Sequence, residues 1–276
     1  MKYKTLWHRL TGIYDTDEAK AIVRWLLDVR FGLSLTDIVC GKIDELSETE
    51  CDALEGMMQQ LETGEPVQYV AGVAEFCKRP FHVEPGVLIP RPETAELCRW
   101  ISQGDGPRVI SVLDIGTGSG CIAITLALEM PEAKVTAWDI SEEALSIAQK
   151  NAETLGAEVT FEQRDILNIS TDSCFDIIVS NPPYVCQKET ATMEKHVLEH
   201  EPHLALFVPD DNPLLFYRAI AQYAKEALKP NGLLYFELNP LYANDLSEML
   251  SVMSWHDITL KQDQFGKQRF LKAKKI

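Results

Sequence analysis

The sequence predicts an α/β protein built mainly on a doubly wound, mostly parallel sheet. Three observations carry this. From Val109 onward, short apolar runs alternate with stretches of helical period, the pattern of successive βαβ units. A glycine-rich turn, Asp114-Ile115-Gly116-Thr117-Gly118-Ser119-Gly120, joins the first of these runs to the first helical stretch. The apolar run Ile177-Ile178-Val179 ends at Asn181-Pro182-Pro183-Tyr184, and two successive prolines have no N–H to give a ladder. A stiff turn must therefore stand at the carboxyl end of a strand, where open α/β sheets bind ligands.

The elements follow in order. Residues from about Asp15 to Glu65 read as helices, with Ala19, Ile22, Val23, Leu26 and Leu27 at helical spacing. Gly32 closes the first segment and Ser34 or Thr36 opens the next. Ser47 opens a third, with Glu50 as its capping-box partner, and Thr63-Gly64-Glu65-Pro66 stops it. Acidic residues between Asp44 and Glu55 form a solvated face or a docking surface. Val67, Tyr69 and Val70, then Phe81, Val83, Val87, Leu88 and Ile89, read as short strands around turns such as Glu84-Pro85-Gly86. The organisation expected is a helical domain over 1–72, a β-hairpin linker over 73–92 and the α/β domain over 93–276.

In the last of these a helix is expected from Ala95 to Gln103 and a strand from Val109 to Ile115. A helix over Ser119–Met130, a strand over Lys134–Asp139, a Ser141-capped helix to Leu155 and a strand over Val159–Gln163 follow. After the Phe175 strand come a helix from Pro213 to Leu228, with proline in its first turn, and a turn at Lys229-Pro230-Asn231-Gly232. A strand from Leu233 to Leu238, a helix from Leu241 to Met253 and strands over Ile258–Asp263 and Arg269–Ala273 complete the chain.

Composition bounds the function. At 276 residues the chain has room for two domains. A net charge of −16 argues against unaided binding to duplex nucleic acid, which needs a basic face. The seven cysteines are odd in number and none are paired as Cys-x-x-Cys, so a reducing cytosol is expected, without a disulfide framework or zinc site. The opening residues lack the apolar core of a signal peptide, and no apolar run approaches membrane-spanning length. His196, His200 and His203 do not make a metal site, because Pro202 breaks any helix shared with the third.

The chemistry lies in the turns. At Asn181-Pro182-Pro183-Tyr184 a planar NH2 group can donate one hydrogen to the Asn181 side-chain oxygen and one to the Pro182 carbonyl, with Tyr184 stacked on its plane. The diproline fixes these acceptors in advance. Gly116, Gly118 and Gly120 allow backbone to approach a ligand closely, and their spacing departs from the dinucleotide fingerprint because position 121 is Cys. Asp139, at the end of the second strand, can take two ribose hydroxyls or serve only as a neighbour of the helix at Ser141. Asp165 and Ile166 can meet an adenine edge and face. Arg91 and Glu93 form a surface ion pair or border a substrate cleft.

Gly116 to Gly120, Asp139 and Asn181 to Tyr184, in that order, resemble the class I S-adenosylmethionine-dependent methyltransferases, whose sheet is Rossmann-like. Their Asn-Pro-Pro-Tyr form belongs to enzymes that methylate planar nitrogens. Glu65 to Tyr69, Gly72, Phe76, Phe81, Val87 to Thr94, Asn151-Ala152, Glu201-Pro202, Ala205-Leu206 and Phe216 to Arg218 resemble the family that methylates glutamine in peptide chain release factors. The resemblance spans nearly the whole chain. It implies methyl transfer from S-adenosylmethionine to the glutamine amide of a Gly-Gly-Gln motif. Asn181, Pro182, Pro183 and Tyr184 then form the catalytic turn, with Arg91 and Glu93 on the substrate side. Gly116, Thr117, Gly118, Ser119, Gly120, Asp139, Asp165, Ile166 and Asn181 then hold the cofactor. It implies a cytoplasmic monomer that needs no metal, nucleic acid or membrane and uses the helical domain to dock its protein substrate.

The alternatives are a ribosomal-protein glutamine methyltransferase and an amino-methyltransferase of DNA or RNA, which would need a basic surface. A nicotinamide-dependent oxidoreductase is disfavoured by Cys121 and the diproline turn. Two departures from the family pattern, Ala95 and Pro209 to Leu215, concern the fine shape of the cleft.

Overall fold

The computed structural model describes residues 2–104, 110–168 and 174–276, so Val109, expected to begin a strand, lies outside it. The chain forms two compact units. One takes the residues up to Val73 with Glu194–His200, the other Ala74–Met193 with Glu201–Ile276.

The first unit is helical: α1 (Tyr3–Leu10), α2 (Thr16–Phe31), α3 (Leu35–Val39), a 3-10 turn over Lys42–Glu45, α4 (Glu48–Glu62) and α5 (Val67–Ala71). Of the expected helix openers, Ser34 and Ser47 act as caps, and Asp15 caps α2 as well. Asp15 Oδ1 accepts from Asp17 N and Glu18 N, both at 2.9 Å. Ser47 and Glu50 form a complete capping box, and Ser34 forms another with Asp37. Caps of this kind contribute about 1 kcal/mol each. Leu10, Val23, Leu26, Leu27, Leu54, Met58 and Leu61 are wholly buried in one core, each worth about 1.5–3 kcal/mol relative to exposure. Arg9 joins α1 to α4 through Glu55 at 2.7 Å and Glu62 at 2.6 Å. The stretch containing Val67, Tyr69 and Val70 is helical, contrary to the expected strand. Pro66 leads into a single turn that Gly72 ends at φ +69, too short for its period to be legible.

The second unit opens with β1 (Val73–Phe76) and β2 (Arg79–His82), joined by Cys77 and Lys78 at φ 49° and 63°. Both turn residues are left-handed, as tight two-residue hairpins require, but neither is the Asn or Gly that usually marks one. Val83 to Ile89 form no strand. There follow α6 (Pro92–Ser102), β3 (Ser111–Ile115), α7 (Cys121–Glu129), β4 (Lys134–Asp139), α8 (Glu142–Leu155), β5 (Val159–Gln163) and β6 (Phe175–Ser180). Beyond β6 lie β7 (Val185–Cys186), a 3-10 turn over Gln187–Thr192, α9 (Lys195–His200), which belongs to the first unit, and then α10 (His203–Leu206) and β8 (Phe207–Val208). Then come α11 (Leu215–Ala227), β9 (Leu228–Glu237), a 3-10 turn over Pro240–Tyr242, α12 (Ala243–Val252), β10 (His256–Gln262) and β11 (Gln268–Lys274). Two expectations are corrected here. Pro213 precedes α11 rather than entering its first turn, and Lys229 to Gly232 lie within β9. Phe175 pairs with Leu228 and Ile177 with Leu233, so the intervening residues bulge from the ladder.

The large sheet runs β10-β11-β9-β6-β3-β4-β5. Strands β9, β6, β3, β4 and β5 are parallel, and β11 is antiparallel to both β9 and β10. Alternate side chains go to opposite faces. Leu113, Ile178, Leu234 and Phe236 pack against α11 and α12, while Val112, Ile177, Val179 and Tyr235 pack against α6 and α7. Chain order reverses between β3 and β6, the switch point where such sheets form clefts.

Candidate active site

A cavity of about 380 Å3 opens at the carboxyl ends of β3, β4 and β6, within the ~300–1,000 Å3 range of small-molecule sites. Its lining includes Gly116, Thr117, Gly118, Ser119, Asp139, Asp165, Ile166, Asn181, Pro182, Pro183 and Arg91. Gly120, Glu93 and Tyr184, also expected at the site, stand outside that lining.

The glycine turn is held from beneath. Gly116 N and Thr117 N both donate to Trp138 O, at 2.8 and 2.9 Å. Thr117 Oγ1 donates to the buried Asp114 Oδ2 at 2.6 Å. Gly120 supports the turn by close packing: it sits at φ +81, and a Cβ there would lie 2.8 Å from Ile124 Cδ1 and 3.1 Å from Ala148 Cβ. Asn151, buried on α8, donates to Ser119 O at 2.9 Å and to His82 O at 3.0 Å, fixing the far end of the turn to β2. Asp139 accepts from Gly118 N through Oδ2 and from Ser141 N through Oδ1, both at 2.9 Å. Burial pushes its carboxyl pKa up, against the pull of those backbone donors. An ionised group held this way can accept further hydrogen bonds from a polyol in the cavity.

The Asn181 turn is braced on three sides. Tyr184 N donates to Leu206 O at 3.2 Å, and Asn239 Nδ2 to Tyr184 O at 3.2 Å. The Tyr184 hydroxyl donates to Glu237 Oε1 at 3.4 Å, so the partly buried ring is tied to the end of β9. Asn181 Nδ2 donates to Thr94 Oγ1 at 3.5 Å, and Thr94 Oγ1 donates to Glu237 Oε2 at 2.7 Å. Among the described residues no group donates to Asn181 Oδ1 or to the Pro182 carbonyl. Two acceptors thus remain for a planar NH2 group.

Arg91 pairs with Glu201 rather than Glu93. Its Nη2 lies 2.5 Å from Glu201 Oε1, while Glu201 Oε2 accepts from Ile89 N at 3.2 Å. The Glu201 side chain is fully buried, so this pair anchors the Leu88–Arg91 wall of the cavity to the segment before α10. Asp165 accepts from Leu167 N and Asn168 Nδ2 in a local turn beyond β5, and Ile166 packs on the sheet core. Helix α9 ends at His200 and α10 starts at His203. Among the described residues no cluster of His, Cys, Asp and Glu is placed to hold a metal.

Two buried carboxylates carry a stability consequence. Asp114 and Glu237 are both pushed up to about 7, chiefly by burial. Their folded pKa values exceed the ordinary ones, so the stability they contribute is complete below the unfolded pKa and is lost as pH rises through about 7. Asp114→Asn keeps an acceptor for Thr117 and removes the titration. Its unfolding free energy should fall between pH 5 and pH 8 by on the order of 2 kcal/mol less than that of the unmutated protein. Denaturant unfolding at the two pH values measures this, and equal declines would contradict it.

The chain resembles known methyltransferases over most of its length. A methyltransferase-domain family model matches residues 108–265, and a PrmC N-terminal domain model matches residues 6–72. A release factor glutamine methyltransferase of Bacteroides thetaiotaomicron is 49% identical over 266 residues, covering 96% of this chain and 95% of the relative. One of Flavobacterium psychrophilum is 41% identical over 269 residues, covering 96% and 94%. A methyltransferase structure from Pyrococcus furiosus shares the fold, with a TM-score of 0.52 at 20% identity over 71% of this chain and 88% of that one.

Proposed function

The chain belongs to the release factor glutamine methyltransferases, and from that premise we propose that its cavity binds S-adenosylmethionine beside the glutamine of a release factor's Gly-Gly-Gln motif. The observation that carries this reading is the common lining: Asn181 and Pro182 face the same cavity as the glycine turn and Asp139. Asp139, held by Gly118 N and Ser141 N, suits a ribose diol, and the backbone of Gly116 to Ser119 can lie close to the rest of the molecule. Asp165 and Ile166 suit the edge and face of its adenine. When bound, S-adenosylmethionine supplies an electrophilic methyl group on a sulfonium.

The protein's task is to prepare the nucleophile. An amide nitrogen is poor at this, because its lone pair is delocalised into the carbonyl. Asn181 Oδ1 and the Pro182 carbonyl accept its two N–H hydrogens, aim the nitrogen and favour the positive charge that grows on it during displacement. No strong base is required, since the methylated amide readily sheds a proton to water once charged. The Arg91–Glu201 pair keeps the cavity wall in place, and Tyr184 holds the turn from behind. The enzyme works in the cytoplasm, where translation terminates.

Incubation with labelled S-adenosylmethionine and, separately, release factors, ribosomal proteins and DNA tests the reading. Label on the release-factor glutamine is expected, and label only on another substrate would overturn it. The helical unit docks the protein substrate in this scheme. Removing residues 1–72 should spare binding of S-adenosylhomocysteine and abolish methylation of whole release factor. Full activity of the truncated protein would show that docking lies elsewhere.

A further inference from the structure

Resting on that reading, we propose that Glu237 and Thr94 are positioning residues that decide which end of the Asn181 amide faces the substrate. The logic is a count of protons. A threonine hydroxyl has one to give, and the Glu237 carboxylate, ionised above its pKa of about 7, only accepts. Thr94 gives its proton to Glu237 Oε2 at 2.7 Å. Its oxygen can then only accept from Asn181, and it does so from Nδ2 at 3.5 Å. That contact is long, as catalytic hydrogen bonds often are before substrate arrives. The result is that Oδ1, the acceptor the reaction needs, is turned away from Thr94. With the amide flipped, Oδ1 would meet an oxygen that has no proton left for it.

Glu237 and Thr94 are 1% and 2% exposed, so water does not scramble this order. Packing alone does not call for an acid at the end of β9, where burying a carboxylate is costly and a neutral side chain of the same shape would fill the space. The second carboxylate oxygen takes the Tyr184 hydroxyl at 3.4 Å. One buried acid thereby orients both the amide and the aromatic residue of the catalytic turn.

Glu237→Gln is the informative change. Its volume is the same, and Tyr184 should keep the amide oxygen on its own side. The new NH2 then faces Thr94, which must accept from it and turn its proton toward Asn181, reversing the order. Thr94→Val breaks the relay outright, and Thr94→Ser keeps it. In single-turnover and steady-state methyl transfer to a release factor at about pH 8.5, where Glu237 is ionised, Glu237→Gln and Thr94→Val should each lower kcat roughly tenfold, the worth of about one net hydrogen bond. KM and affinity for S-adenosylhomocysteine should stay near the unmutated values, and Thr94→Ser should recover the rate. The double variant should be no slower than the slower single, because the acid acts only through the hydroxyl. An unchanged kcat in Glu237→Gln, multiplied losses, or a loss confined to KM would overturn the proposal.

A second measurement needs no substrate. The side-chain amide signals of Asn181, assigned by NMR at the same pH, should shift in Glu237→Gln and Thr94→Val and return in Thr94→Ser. Signals that stay in place in Glu237→Gln overturn the proposal whatever the activity. If the unmutated protein failed to methylate any release factor, the assigned substrate would fall and the amide signals would still decide the positioning role.

Discussion

Asn181→Ala is expected to slow single-turnover methyl transfer to a release-factor glutamine by roughly a hundredfold to a thousandfold, the usual effect of losing one positioned donor or acceptor at a developing charge. The substitution leaves the diproline in place, and Tyr184 keeps its hold on Leu206, Asn239 and Glu237. The loss should therefore appear in the chemical step, with cofactor affinity changing far less. Asn181→Asp is the sharper variant. It retains an oxygen of similar size but loses the Nδ2 that donates to Thr94. Its carboxylate must also compete with Glu237 for the single Thr94 proton. Low but measurable turnover is expected, above that of alanine and below that of asparagine. Methyl transfer by Asn181→Ala at the unmutated rate would show that this turn does not hold the amide.

The turn was legible in sequence because its physics is local. Two prolines end a strand wherever they stand, so the place of the turn needs no help from distant parts of the chain, although its bracing by Leu206, Asn239, Glu237 and Thr94 does. The same holds for β4 and β5, whose bounds at Lys134–Asp139 and Val159–Gln163 are those expected, and for the caps at Ser47 and Ser141. What escaped was non-local or too short to show a period. Helix α5 has a single turn, and the hairpin at Cys77-Lys78 carries none of the usual turn residues. Thr94, Glu201 and Glu237 reach the site from places far apart in sequence, and no pattern pairs Arg91 with Glu201 rather than Glu93. One signal was available: an acid closing the apolar strand Leu233 to Phe236 must be paired if buried.

Asp139→Ala should reduce affinity for S-adenosylhomocysteine by on the order of a hundredfold or more, since two hydrogen bonds from a ribose to a charged acceptor are each worth about 1.5–3 kcal/mol. The structure adds that asparagine is no mild replacement. Both carboxylate oxygens already accept backbone N–H groups, Oδ2 from Gly118 and Oδ1 from Ser141. An amide NH2 at either place would set donor against donor, so Asp139→Asn must lose one of those bonds as well as its charge. Its affinity should fall nearly as far as that of alanine, and Gly118 should lose its fixed approach to the cavity. The pH dependence has a definite sign. Burial raises the Asp139 pKa, so protonation begins at a higher pH than for an exposed aspartate. Only the ionised group serves as acceptor to ribose and backbone together. Affinity should hold at neutral pH and decline on acidification earlier than an ordinary aspartate would dictate, and that decline should vanish in Asp139→Ala. Calorimetric titration across pH 4.5 to 8 measures both effects. Affinity in Asp139→Ala close to that of the unmutated protein would remove Asp139 from the cofactor site and leave it only the task of holding the glycine turn.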